Sequence, residues 1–85
     1  DNINSIDPES DYKDSKSQLQ EFLQQQQKDL PQYQLIDTTG DKHDQEFFIE
    51  CVVDNGDIIT TASGKSIKIA EQKAAFEALQ RLLND

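Results

Sequence analysis

The chain is poor in the residues that most catalytic and metal chemistry needs. Its 85 residues include one histidine, one cysteine and no tryptophan. A lone histidine without a second ligand cluster does not make a metal site, and Asp44 and Glu46 near His43 do not supply the missing donors. One cysteine excludes an internal disulfide. Cys51 falls between Ile49 and Val53 in an alternating pattern, which predicts a buried, inert thiol. There is no nucleophile–base pair, and the acids fall in loops and on solvent faces rather than converging. Catalysis, a cofactor and a small-molecule substrate are therefore not expected of this chain. No apolar run is long enough to span a membrane, and no basic start followed by an apolar stretch marks a signal peptide. A cytoplasmic location without membrane contact is the expectation.

Positive charge is scarce as well. Eight basic residues stand against seventeen acids, for a net charge of −9, which taken whole opposes a polyanionic partner. The distribution is uneven, however. Asp1, Asp7, Glu9 and Asp11 lie in DNINSIDPESDY, a polar opening with no base, with Pro8 and without periodicity. Residues 1–13 are read as an acidic linker or tail. The absence of an initial methionine suggests that the chain is part of a longer protein. Residues 61–76 have the opposite balance, with Lys65, Lys68 and Lys73 against the single acid Glu71. A basic tip on an acidic body is the stronger clue.

What is present fits one small domain over residues 14–85. Hydrophobic residues make up 34% of the chain, enough for one sheet covered by helices. Asp14 or Ser15 is a candidate N-cap for a helix that places Leu19, Phe22, Leu23 and Gln26 on one face. That helix is expected to fade through Gln24–Gln27 and to stop before Pro31. YQLIDTT (33–39) and QEFFIECVV (45–53) read as strands, the second with Phe47, Ile49, Cys51 and Val53 facing one way. Asp54-Asn55-Gly56-Asp57 is a tight turn signal, since Asn-Gly tolerates positive φ at both central positions. It has neither the twelve-residue spacing nor the closing glutamate of a calcium loop. IITTAS (58–63) is a third strand. From Ser66 onward, Ala70, Ala74, Ala75, Ala78, Leu79 and Leu82 give a second helix a small-residue face. The predicted fold is α+β, in the order α-β-β-β-α, with a three-stranded antiparallel sheet and both helices on one face.

Gly64-Lys65-Ser66 opens that second helix. A nucleotide-binding P-loop would need a further glycine at position 59, which is Ile59, and a parallel setting that this strand order excludes. A helix N-terminus surrounded by lysines still offers unpaired N–H groups and the positive end of the macrodipole to an anion, with a nucleic-acid backbone the best match.

The blocks SQLQEFLQ (17–24), PQY (31–33), GDKHDQEFFIECVV (40–53) and SGKSIKIAEQKAAFEAL (63–79), at this spacing, resemble the double-stranded-RNA-binding domain. More narrowly, they look like the C-terminal domain of bacterial ribonuclease III. The resemblance covers residues 14–83 and implies three RNA-facing patches. Ser17, Gln20, Glu21 and Gln24 would meet 2′-hydroxyls in a minor groove, where a carboxylate can accept from a sugar hydroxyl that DNA lacks. His43 would enter the next minor groove. Lys65, Ser66 and Lys68 would grip phosphates across the intervening major groove. The partner implied is double-stranded RNA, read by shape over about 16 base pairs.

The sequence departs from the family pattern at Ile67, where a paired basic residue is usual, and Ile69 follows where polar residues are common. Weakened binding is expected, with a salt slope lower by about one unit. The resemblance further implies a parent ribonuclease III with a separate magnesium-dependent nuclease domain. That parent would be a homodimer, which would restore avidity in the processing of ribosomal or messenger RNA. An alternative reading is a protein-interaction or dimerisation module of the same fold. The net charge, Ile67 and the outward-facing Phe48 and Val52 motivate it.

Overall fold

A computed structural model describes residues 14–84. The segment read as a linker, residues 1–13, lies outside the described residues, as does Asp85. The elements follow the order read from sequence: α1 (Ser15–Gln25), β1 (Gln32–Thr39), β2 (Glu46–Val53), β3 (Ile58–Gly64) and α2 (Ile67–Asn84), with a short 3-10 turn at Asp54–Gly56. The three strands form one antiparallel sheet with β2 in the centre. Both predicted helices and all three predicted strands are present, with strand ends moved by one residue.

The core lies between the helices and one sheet face. Ile49, Cys51 and Val53 from β2 meet Leu19 and Leu23 from α1 and Ala70, Ala74, Ala75, Ala78 and Leu79 from α2. The alanines carry no bulk beyond Cβ, so α2 lies close to the sheet. The Thr60 hydroxyl donates to the Ala74 carbonyl at 2.8 Å, a buried bond from strand to helix. Gly64 belongs to the same close approach. A Cβ there would lie 2.6 Å from Ile69 Cγ2 and 2.9 Å from the Ala70 nitrogen. Its role at the start of Gly-Lys-Ser is thus steric.

Cys51 is fully buried, and burial pushes its thiol up to about 11. Tyr33, paired across the strands with Cys51, lies beside that thiol. Burial raises the phenol's pKa above its ordinary value, and no group among the described residues completes a well-aligned hydrogen bond to its hydroxyl.

Three local features differ from the sequence reading. β1 carries a bulge at Ile36, where the register shifts between Leu35 and Asp37. The β2–β3 connection has positive φ at Asn55 and Gly56, as expected, but also at Asp54, so three consecutive residues are left-handed. Gln26 is exposed beyond the last residue of α1 rather than on its buried face. The helix ends because Gln27 turns left-handed, with φ 59°. The Lys28 N–H then bonds the Leu23 carbonyl at 2.9 Å and the Gln27 N–H bonds the Gln24 carbonyl at 3.1 Å. This is the Schellman arrangement, with glutamine where glycine is usual. A side chain in that conformation costs about 1 kcal/mol. Gln27→Gly should therefore raise the unfolding free energy by about 0.5–1 kcal/mol in urea titration, with an unchanged m-value.

Candidate nucleic-acid interface

Burial of Leu19 and Leu23 settles which way α1 faces. Ser17, Gln20, Glu21 and Gln24 stand at i, i+3, i+4 and i+7, and all four are exposed on one stripe. The stripe contains no base. Three neutral polar side chains and one carboxylate can exchange hydrogen bonds with hydroxyl groups, but they offer no cation to a phosphate.

The β1–β2 loop is organised by Gly40 and by Asp41, the second passed over in the sequence reading. Gly40 has φ +89°, and a Cβ there would collide with the Asp44 carbonyl. The Asp41 carboxylate accepts from the backbone N–H groups of both His43 and Asp44, each at 3.0 Å. His43 is thereby presented on an exposed, internally bonded turn. An aspartate directly after a glycine is a turn signal that could have been read from sequence.

At the start of α2, Ser66 is the N-cap. Its Oγ accepts from the Ile69 N–H at 3.1 Å, and its carbonyl accepts from Ala70 at 3.0 Å. The hydroxyl hydrogen remains available to donate outward. Lys68 is exposed and forms no hydrogen bond or ion pair among the described residues. Lys65 is also exposed, but its Nζ lies 2.6 Å from Asp44 Oδ1 and 3.9 Å from Glu46 Oε1. Glu46 is itself held by the Ser63 hydroxyl at 2.8 Å. The hydrogen bond between Lys65 and Asp44 raises the lysine's pKa and lowers the aspartate's. Asp44 competes with an arriving anion for the Lys65 ammonium. Ile67 is exposed beside these lysines, while Ile69 is partly buried over Gly64.

The first two turns of α2 therefore form a hub. Lys65 ties them to the loop carrying His43. Glu71 and Gln72 tie them to α1 through Lys16, whose Nζ lies 2.8 Å from Glu71 Oε1 and whose N–H donates to Gln72 Oε1 at 3.0 Å. Read from sequence, Glu71 is an acid among phosphate-seeking lysines; in the fold, its charge is met by Lys16. No group of three or more His, Cys, Asp or Glu able to hold a metal occurs among the described residues. No helix among them is long and apolar enough to cross a membrane.

A family model described as "Double-stranded RNA binding motif" matches residues 15–82. The chain is 42% identical over 80 residues to Ribonuclease 3 of Thiobacillus denitrificans, a match covering 94% of this chain and 35% of the relative. It is 46% identical over 83 residues to Ribonuclease 3 of Pseudoalteromonas translucida, covering 98% and 36%. The chain thus spans about a third of the length of these relatives. Among solved structures, Arabidopsis HYL1, studied for its implications for miRNA processing, superposes with a TM-score of 0.65 at 26% identity. That likeness covers 84% of this chain and 97% of the other.

If Asp41 holds the turn as described, Asp41→Ala should speed hydrogen exchange at the His43 and Asp44 amides by roughly tenfold. The amides of β2 should keep their protection. Unchanged exchange at His43 would mean that the turn does not depend on the Asp41 carboxylate.

Proposed function

The chain belongs to the double-stranded RNA-binding motif family, and on that premise we propose that it recognises A-form RNA through the three patches just described. Ser17, Gln20 and Gln24 exchange hydrogen bonds with 2′-hydroxyls and base edges of one minor groove, and Glu21 accepts from a 2′-hydroxyl. His43 enters the next minor groove. Lys65 and Lys68 contact phosphates of the intervening major groove, and Ser66 donates its free hydroxyl hydrogen to a phosphate oxygen while its oxygen caps the helix. The observation that carries this reading is a division of labour between α1 and α2. A base-free stripe suited to hydroxyls lies on α1, which Lys16 joins through Glu71 and Gln72 to the helix whose cationic start suits phosphates.

The same arrangement supports modest affinity. Asp44 competes for Lys65, and Ile67 adds no charge. Selectivity comes from shape and sugar rather than base sequence. The similarity to ribonucleases 3 supports a role as the recognition module of such an enzyme. In that setting this chain binds and does not cut. Cleavage belongs to a separate magnesium-dependent nuclease domain whose dimerisation presents two modules to one duplex. Processing of ribosomal or messenger precursors in the cytoplasm is the corresponding cellular role, with residues 14–85 as the binding domain and residues 1–13 as its tether.

The test compares a blunt RNA duplex of about 20 base pairs, long enough for the roughly 16 base pairs of one module, with the DNA duplex of the same sequence across a salt series. RNA should bind more tightly, and binding should weaken with salt. Lys65→Ala with Lys68→Ala should weaken all RNA duplexes alike and flatten the salt slope by up to about two units. Folded chain that binds neither duplex at low salt, or a double variant that binds as well as the parent, overturns the reading and favours a protein-binding role, in which Phe48→Ser would be the damaging change.

A further inference from the structure

We propose that Glu71 and Gln72, acting through Lys16, are positioning residues that set the separation and rotation of the α1 stripe relative to the cationic start of α2. This rests on the double-stranded-RNA reading. α1 packs chiefly against α2, whose buried residues are all alanine except Leu79. Apolar contact is non-directional, and an alanine face has shallow ridges, so burial of Leu19 and Leu23 leaves the helix some freedom to slide and turn. Directional bonds must fix it.

Those bonds converge on Lys16. Asp14 stands at the N-cap of α1, yet its side chain caps nothing. The first-turn N–H that a capping side chain would ordinarily satisfy, that of Lys16, instead donates to Gln72 of the other helix at 3.0 Å. The Lys16 ammonium bonds Glu71 Oε1 at 2.8 Å and lies 4.9 Å from the centre of the Tyr33 ring. Consecutive residues of α2 and one residue of β1 thus hold a single residue of α1. Lys16 directly precedes Ser17, the first member of the stripe. Glu71 lies one turn beyond Lys68. The link therefore joins the two patches almost residue to residue. A duplex presents its minor-groove hydroxyls and major-groove phosphates at fixed separations, so slack between the patches weakens binding even when every contacting residue is present.

The proposal predicts a sign that simple electrostatics reverses. Glu71 is an acid beside phosphate-binding lysines, and removing it from a bystander position would tighten RNA binding, the more so because Lys16 would be freed. Loss of a positioning residue weakens it. The experiment measures the unaltered 85-residue chain, Glu71→Ala, Glu71→Gln and Gln72→Ala on RNA and DNA duplexes of about 20 base pairs at fixed low salt, well below the measured melting midpoint of each. Glu71→Ala should lose about fivefold in RNA affinity, the scale of one charge-assisted bond. Glu71→Gln, which keeps an oxygen for the Lys16 ammonium, should fall between Glu71→Ala and the parent. The preference for RNA over DNA should fall in the same order, which a smaller folded fraction would not produce because it lowers both affinities together.

Glu71→Gln keeps the side-chain volume and carries the same sign test should Glu71→Ala prove unfolded. RNA binding by Glu71→Gln equal to or tighter than the parent's, with the parent binding normally, overturns the positioning role alone. Failure of the unaltered chain to bind RNA overturns both this proposal and the reading beneath it.

Discussion

The close approach of α2 to the sheet is the constraint on which the other features depend. It is possible because the buried face of the helix is almost all alanine, because Gly64 leaves room for Ile69, and because the Thr60 hydroxyl reaches a helix carbonyl. Bulkier residues on that face would lift the helix away. With the helix in place, its first turn lies against the end of β3 and opposite the β1–β2 loop. Lys65 then reaches Asp44, and Glu71 and Gln72 reach the start of α1. The candidate surface is thus a by-product of close packing at one end of the core.

The electrostatic design follows from an excess of acid. Lys16, Lys28 and Lys65 each pair with an acid distant in sequence: Glu71, Asp54 and Asp44. Such partly exposed pairs contribute little to stability, typically about 0–1 kcal/mol. Their effect is directional. They pin long side chains and decide which cations remain available to an incoming polyanion. A chain of net charge −9 can still present a cationic site because its charges are unevenly placed, with Lys65, Lys68 and Lys73 against the single acid Glu71 in residues 61–76. The residual field around the rest of the molecule still slows and weakens association with nucleic acid.

The fold was legible because its signals are local. Alternation of Phe47, Ile49, Cys51 and Val53 marks a central strand, the alanine pattern marks a buried helix, and Asn-Gly marks a reversal. The α1 stripe came from the resemblance, and its exposure agrees with its place opposite the Leu19–Leu23 face. What escaped was non-local or permissive. Nothing in Lys16 points to Glu71, 55 residues away. Glutamine at a left-handed helix end contradicts the usual preference for glycine, and the bulge at Ile36 has no glycine to announce it. Asp41 was the exception: its turn signal was there to be read. Local charge and the Gly-Lys-Ser helix start marked Lys65, Ser66 and Lys68, and resemblance added His43; that Lys65 already has an acidic partner needed three dimensions.

The element order carries a consequence for time rather than space. The stripe lies on the first described helix, and the helix that supports it is the last. α1 packs chiefly on α2, and an isolated helix of 11 residues is marginal in water. While the chain is being synthesised, the segment that becomes α1 leaves the ribosome before α2 and has no fixed orientation until α2 has emerged and docked. The exposed face of α1 is thus set only when the last described element has folded.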